Sequence, residues 1–238
     1  MSRSTLKILA MVFMLLDHMW ATVIPGNQWM TNVGRMAFPI FAFQIAEGYI
    51  HTSDFVKYAK RLLVFALLSE IPFNLFHGSS LFYPFHQNVM FTLWLGLLAI
   101  KTIDRFKQER TAKNLIIAVG GTAGAALAAT IGFTDYGGMG VFTVVVFYLF
   151  RDFPYAWLAQ LAAMFMLNVY FFSGMYIPVE IFGNVYELQT QGFALFALVP
   201  IHLYNGQKGL GGKWFKYSMY VFYPVHMLVL YALFVTMH

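Results

Sequence analysis

"LKILAMVFMLLDHMW", residues 6–20, begins as a membrane span and then departs from one. Residues 8–16 are apolar without a break, and Asp17 and His18 follow side by side, with Met19 and Trp20 after them. A carboxylate and an imidazole are costly in hydrocarbon and are kept where they face a bundle interior or a wet cavity. The stretch therefore predicts a membrane helix that carries part of a polar site. Arg3 and Lys7 ahead of the apolar run give it the outline of an export signal. No small-residue cleavage site follows, however, and the polar pair interrupts the apolar region, so a retained first helix is expected.

The rest of the chain agrees. Of 238 residues, 60% are hydrophobic and 11% charged, where a soluble domain runs about 45–50% apolar and about 25% charged. The mean hydropathy is +0.65. Apolar stretches near span length recur at roughly 6–24, 35–50, 57–76, 88–103, 115–132, 138–150, 155–172, 190–204 and 217–236. The expected fold is all-α: a polytopic transmembrane bundle of about nine spans, with residues 1–238 forming a single integral membrane domain. The second, sixth and eighth stretches are short for a span of about 20 residues, which calls for tilt, a break, or extension into the loops. There is no cysteine, so disulfides, thiolate metal sites and a cysteine nucleophile are excluded.

Charge orients these spans. Arg3 and Lys7 precede the first, Lys57, Lys60 and Arg61 open the third, and Lys101, Arg105, Lys107, Arg110 and Lys113 lie between the fourth and fifth. Arg151 precedes the seventh, and Lys208, Lys213 and Lys216 precede the ninth. With nine spans, every Lys and Arg except Arg35 falls on one side. That bias predicts a multi-pass protein of the cytoplasmic (inner) membrane with its N-terminus inside. The net charge of +5 is thereby explained without nucleic acid as a partner. "GGTAGAALAA" (120–129) lacks the spacing of a dinucleotide loop. Gly120 and Gly124, then Ala125 and Ala129, instead predict close helix packing.

The ionisable groups within spans are the candidates for chemistry. At about 1.5 Å per residue, His18 lies about 18 Å along the first helix and Glu70 about 20 Å along the third, both in the outer half. Arg35 opens the second helix on the outer side, Asn88 and Thr92 open the fourth, Asp135 and Tyr136 precede the sixth, and His226 sits near mid-depth in the ninth. Glu47 lies at the cytoplasmic end of the second, half solvated, with a structural role as open as a functional one. Asp17 is either a partner of Arg35 or part of the chemistry. Glu70, in "SEIPFN", either satisfies backbone groups freed by Pro72 or is functional, and His226 is either a helix–helix hydrogen bond or a ligand contact. His51, His77, His86 and His238 read as solvated loop or terminal groups without metal-ligand spacing. One pair is more specific. Lys7 and His18 are eleven residues apart, about 1,100° of helix and so roughly 20° beyond three full turns, with an axial separation of about 16 Å. A cation at the cytoplasmic mouth and a deep imidazole share one face, at about the reach of a pantetheine arm from its phosphates to its thioester.

In their order, "LDH" (16–18), "GRMAFPIFAFQIAEGYIHT" (34–52), "KYAKRLLVFALLSEIPFN" (57–74), "NVMFTLWLGL" (88–97), "DYGGMGV" (135–141) and "FYPVH" (222–226) resemble the TraX family, named for a plasmid-encoded pilin N-acetyltransferase. That family in turn resembles membrane acyltransferase family 3, whose first helix carries Arg or Lys, ten residues, then His. Lys7 and His18 fit that spacing. Lys57, Lys60 and Arg61 match basic residues at the start of its third helix, and Tyr223 and His226 a Tyr and His in its last.

The resemblance implies an acetyltransferase. It would carry an acetyl group from cytoplasmic acetyl-CoA, without a metal, to an amine or hydroxyl acceptor at the outer side: a protein N-terminus, a glycan or a small molecule. Its catalytic candidates are His18 as general base, Glu70 or Asp17 orienting the ring, and Arg35 or a backbone N–H on the oxyanion. The donor-binding candidates are Lys7, Lys57, Lys60 and Arg61 on the phosphates, with Glu47, Tyr223 and His226. Membrane lipids are the other expected partners, and a homodimer is compatible. Two rival classes remain. A proton-coupled membrane transporter would use the same Asp, Glu and His as a relay, and a structural partner of an envelope machine would need no chemistry at all.

Overall fold

The computed structural model of the protein describes residues 1–172 and 174–237. His238 and the side chains of Lys213 and Lys216, used above, lie outside the described residues. The chain divides into two compact units, Met1–Phe41 with Asp152–Leu210, and Ala42–Arg151 with Gly211–His238.

In the first unit, α1 (Arg3–Thr22) starts where the Ser2 hydroxyl accepts the Thr5 N–H, satisfying one of the free donors of a helix N-terminus. It ends ahead of Pro25 and Gly26, and the short α2 (Gln28–Gly34) turns back against it. The segment after His202 returns to the α1 N-terminus, where Arg3 N–H donates to Gln207 O at 2.8 Å and Leu210 N–H to Ser4 Oγ at 2.8 Å. α8 (Ala156–Phe165) widens into a π-helical turn, Met166–Phe171. There the buried Asn168 donates to Met164 O (2.9 Å) and accepts from Gln191 (3.0 Å). A 3₁₀ stretch, Thr190–Ala197, leads into α9 (Leu198–His202).

Between these helices stands an antiparallel hairpin, β1 (Tyr176–Ile181) and β2 (Asn184–Gln189). The sequence reading held no strand. Its turn residues, Phe182 (φ 51°) and Gly183 (φ 74°), both take the positive φ of the two-residue turns that match strand twist.

The second unit is built on α5 (Val89–Gln108), which packs on α4 (Phe55–Gly78), α6 (Ala112–Ile131) and α7 (Gly137–Leu149). α10 (Lys213–Met237) lies along α4, with Phe65 stacked on Tyr220 at 4.9 Å. α3 (Ala37–Ile50) has its second half here, with Phe43 edge-on to Phe147. Side-chain caps start α4 (Asp54), α5 (Asn88) and α6 (Thr111).

The small-residue stripe of α6 does pack, but one residue from where spacing placed it. Gly121 meets α5, where a Cβ would come within 2.9 Å of Thr102 Cγ2, whereas Gly120 and Gly124 face open space. Ala125 and Ala129 are buried as expected.

Helix occupies each of the nine apolar stretches. Three helical segments among the described residues are long and apolar enough to cross a membrane: Arg3–Thr22, Ala112–Ile131 and Tyr220–Met237. α4 and α5 are as long but carry more charge. α3 and α7, at 14 and 13 residues, reach only about 20 Å.

Candidate functional site

In the first unit, α1 runs unbroken through both Lys7 and His18, so their shared face and axial spacing of about 16 Å follow from helix geometry. Both residues are half-buried. Asp17, one position before His18 and about 100° round the helix, is engaged elsewhere. Both its oxygens accept from Arg35 Nη2, at 2.6 and 2.7 Å, and the same nitrogen lies 3.1 Å from Thr31 Oγ1. Gly34 makes this approach possible, because a Cβ there would sit 2.8 Å from Asp17 Cγ. Of the two readings left open for Asp17, the structure shows the ion pair. Arg35 lies in the turn between α2 and α3 rather than opening a helix.

In the second unit, a polar cluster forms where α4 ends and α5 and α7 begin. Asn88 is fully buried; its amide donates to Ala66 O (2.8 Å) and Glu70 Oε2 (2.5 Å), and its side-chain oxygen caps α5. Glu70 is thus an acceptor for Asn88; a carboxylate has no proton to give carbonyls freed by Pro72. Glu70 Oε1 is buried with no hydrogen-bond partner among the described residues. Tyr223, on α10, is buried. Thr92 donates to Asp135 O.

His86 is not the solvated loop group the sequence suggested. Its Nε2 lies 3.9 Å from Asp135 Oδ1, and its ring packs edge-on to His77 and Phe73, each at 5.0 Å. The nearby Asp135 carboxylate raises its pKa above the ordinary histidine value, against the opposing effect of burial. His226 donates from Nδ1 to Phe222 O (2.8 Å), within its own helix, and stacks on Phe222 at 4.7 Å.

The opposite ends of these helices hold the remaining candidates. Glu47 is 3% exposed, not half solvated. Arg151 Nε donates to its Oε1 at 2.7 Å, and His51 Nδ1 lies 3.7 Å from Oε2. A buried carboxylate needs such a partner, and Arg151, 104 residues away, supplies it. Lys57 pairs with Asp54 at 3.0 Å in an exposed contact. The Lys57 N–H and ammonium hold Asp54 below the usual carboxylate range. Lys60 is exposed. Arg61 lies over the rings of Tyr58 and Tyr220, each at 5.4 Å.

Sequence reasoning missed Asp104. It accepts from Tyr49 (2.6 Å), Tyr148 (2.7 Å) and Gln108 (2.8 Å), joining α3, α5 and α7. Lys107 lies over the Tyr148 ring at 4.5 Å. The available signal was the helical continuation of α5 past residue 103, which puts Asp104 on a packed helix rather than in a loop.

Apolar helices with ionisable groups gathered at their ends define a membrane-associated helical protein. The chain belongs to the TraX family, whose model, described as TraX protein, matches residues 2–234. It is similar to the "Probable fimbrial assembly protein FimC, serogroup H1" of Dichelobacter nodosus. The identity is 29% over 239 residues, covering 94% of this chain and 92% of that protein. No solved structure matches the chain.

Proposed function

We propose that this TraX-family chain is an integral membrane acetyltransferase. It crosses the cytoplasmic membrane about nine times with its N-terminus inside, and it moves an acetyl group from cytoplasmic acetyl-CoA to an amine or hydroxyl at the outer side. The similarity to a fimbrial assembly protein supports a fimbrial or pilus component as the acceptor. The observation that carries the reading is the unbroken α1, with Lys7 and His18 about 16 Å apart on one face. The Lys7 ammonium would hold donor phosphates as a point charge. The acceptor's N–H or O–H would attack the thioester carbonyl as His18 takes its proton. The C–S bond then breaks, and the CoA thiolate leaves and is protonated. Free imidazole titrates at about 6.5, near neutral pH, which is why histidine is the side chain used most often for such proton transfer. The Asp17–Arg35 pair is given a positioning role, holding α2 against the helix that carries His18. In the second unit, Lys60 is exposed and Lys57 is held only by an exposed carboxylate, so both stand open to an anion.

The test separates binding from chemistry. Lys7→Ala should chiefly weaken acetyl-CoA binding, measured by calorimetry on detergent-purified protein. His18→Ala should bind CoA as wild type yet lose transfer by roughly 10²–10⁴-fold. Each variant must first match the wild type in yield and give a monodisperse profile. Full transfer by His18→Ala would remove the centre of the mechanism. One observation favours a second reading, a proton-coupled transporter: Glu70, whose Oε1 has no hydrogen-bond partner among the described residues, stands near His86 and Asp135, as a relay requires. Absence of CoA binding at millimolar concentration, together with pH-gradient-driven uptake, would put that reading first.

A further inference from the structure

The β1–β2 hairpin is two-faced. Residues directly opposite in an antiparallel pair share a face of the sheet. The register Tyr176↔Gln189, Pro178↔Glu187 and Glu180↔Val185 therefore gathers both glutamates and the glutamine on one face, each paired with an apolar or aromatic residue (Pro178, Val185 and Tyr176), so that this face is mixed. The alternate pairs, Ile177↔Leu188 and Val179↔Tyr186, gather aliphatic and aromatic residues on the other. Leu188 and Tyr186 are 49% and 55% exposed, and Phe182 at the turn is fully exposed. A two-stranded hairpin is marginal in water alone, and among the described residues no third strand pairs with it.

Its tether restricts what can cover the apolar face. The hairpin joins two apolar helical segments, Ala156–Phe171 and Thr190–His202. Only residues 172–175 separate it from the first, a leash of at most about 14 Å, and Thr190 follows Gln189 directly. The base is fixed by two bonds, Gln189 Nε2 to Phe172 O and Thr190 N–H to Met175 O. The surface it continues is apolar and aromatic: Phe165, Tyr170 and Phe171 are 50%, 73% and 56% exposed. Tyr-rich surfaces of this kind sit at the level of lipid headgroups. The strands carry no Lys or Arg, so anionic headgroups would not attract them.

We propose that this hairpin is a membrane-interface anchor. Its Ile177–Val179–Tyr186–Leu188 face and the Phe182 tip would be buried in the headgroup–acyl boundary of the outer leaflet, with the glutamate face in water. It is the sheet counterpart of an interfacial amphipathic helix, held by apolar burial rather than charge. The proposal rests on the membrane reading of the chain and not on acetyl transfer.

The native lack of cysteine allows a direct test in full-length protein reconstituted into phosphatidylcholine vesicles. Single cysteines at Tyr186, Phe182, Glu187 and, on lipid-exposed α6, Val119 would carry an environment-sensitive fluorophore. Labels at Tyr186 and Phe182 should be blue-shifted, quenched by brominated lipid and shielded from iodide. The Glu187 label should show the reverse. The pattern should be unchanged by 0.5 M salt, of the order at which screening removes charge contacts, and should not strengthen with phosphatidylglycerol. Iodide quenching of Tyr186 equal to that of Glu187, while Val119 is quenched by lipid, overturns the anchor and leaves the membrane reading standing. Failure of Val119 to see lipid overturns both. A Tyr186 label shielded from both quenchers also overturns the anchor, and points to a protein, such as a second copy, covering the face.

Discussion

Removing Arg151 should destabilise the protein more than removing the charge it neutralises. Glu47 is 4% exposed at its side chain and Arg151 34%, so the carboxylate is buried while the guanidinium is partly wet. Arg151→Ala leaves a buried charge short of its 2.7 Å partner. Losing one member of a buried pair costs about 3–5 kcal/mol, and the exposure of Arg151 places this case at the low end, about 3 kcal/mol. Glu47→Gln keeps the shape and an acceptor for Arg151 Nε, so about 1–2 kcal/mol is expected from the weakened bond. The double change to Met at both positions should recover much of the loss, because apolar side chains of similar volume often replace buried pairs at little cost. Tryptophan-fluorescence melting in detergent gives the readout. At roughly 2–4 °C per kcal/mol for a chain of this size, Arg151→Ala should melt about 6–12 °C below wild type and Glu47→Gln about half as far. If both single variants melt within about 1 °C of wild type, the pair behaves as an exposed one worth about 0–1 kcal/mol, and the burial reasoning fails.

Three further outcomes are expected. Gly121→Val should destabilise by about 1–3 kcal/mol through overpacking against Thr102, whereas Gly120→Val, facing open space, should melt as wild type. Asp104→Ala leaves the Tyr49 and Tyr148 hydroxyls without their acceptor, a loss of about 1–3 kcal/mol for each buried group left unpaired, also read by melting. Because Asp135 raises the His86 pKa, its contribution to stability is complete below the ordinary value of about 6.5. It is lost as pH rises through the higher folded-state value, so the melting temperature should fall across that window in wild type and lose this step in His86→Ala.

Apolar length was enough to place the longer helical stretches, because burial in long apolar runs dominates local choice, but it gave no sign of the seven-residue α2. The hairpin escaped for the opposite reason. "YIPVEIFGNVYELQ" does alternate and does hold Phe-Gly at its turn, but it is short, its polar and apolar faces differ by few residues, and it sits where a span count expects only a loop. The one-residue offset in α6 has a similar origin. Spacing of small residues shows that a helix is approached closely, while the direction of approach depends on where α5 lies, and only the three-dimensional packing of Thr102 against Gly121 fixes that.

The polar residues divide by whether their partners are near in sequence. Asp17 and Arg35 belong to consecutive segments, so their pairing was one of two legible readings, and the Gly34 that permits it stands beside Arg35. Glu47 with Arg151, and Asp104 with Tyr49 and Tyr148, join residues 44 to 104 positions apart, and no local pattern encodes such a choice. The same separation explains why Glu47 looked solvated: a carboxylate next to a glycine at a helix end is normally wet, and only a distant arginine makes burial tolerable. Once these pairs are assigned, most ionisable candidates in the helices already have structural partners. Glu70 differs. Asn88 occupies one of its oxygens, and the other is buried without a hydrogen bond among the described residues. A buried carboxylate oxygen in that state costs free energy unless it is protonated or meets something else. That makes Glu70, in the second unit, as sound a target for substitution as His18 in the first, and Glu70→Gln, which replaces the carboxylate with a neutral amide of the same shape, is the variant that tests whether its charge is needed.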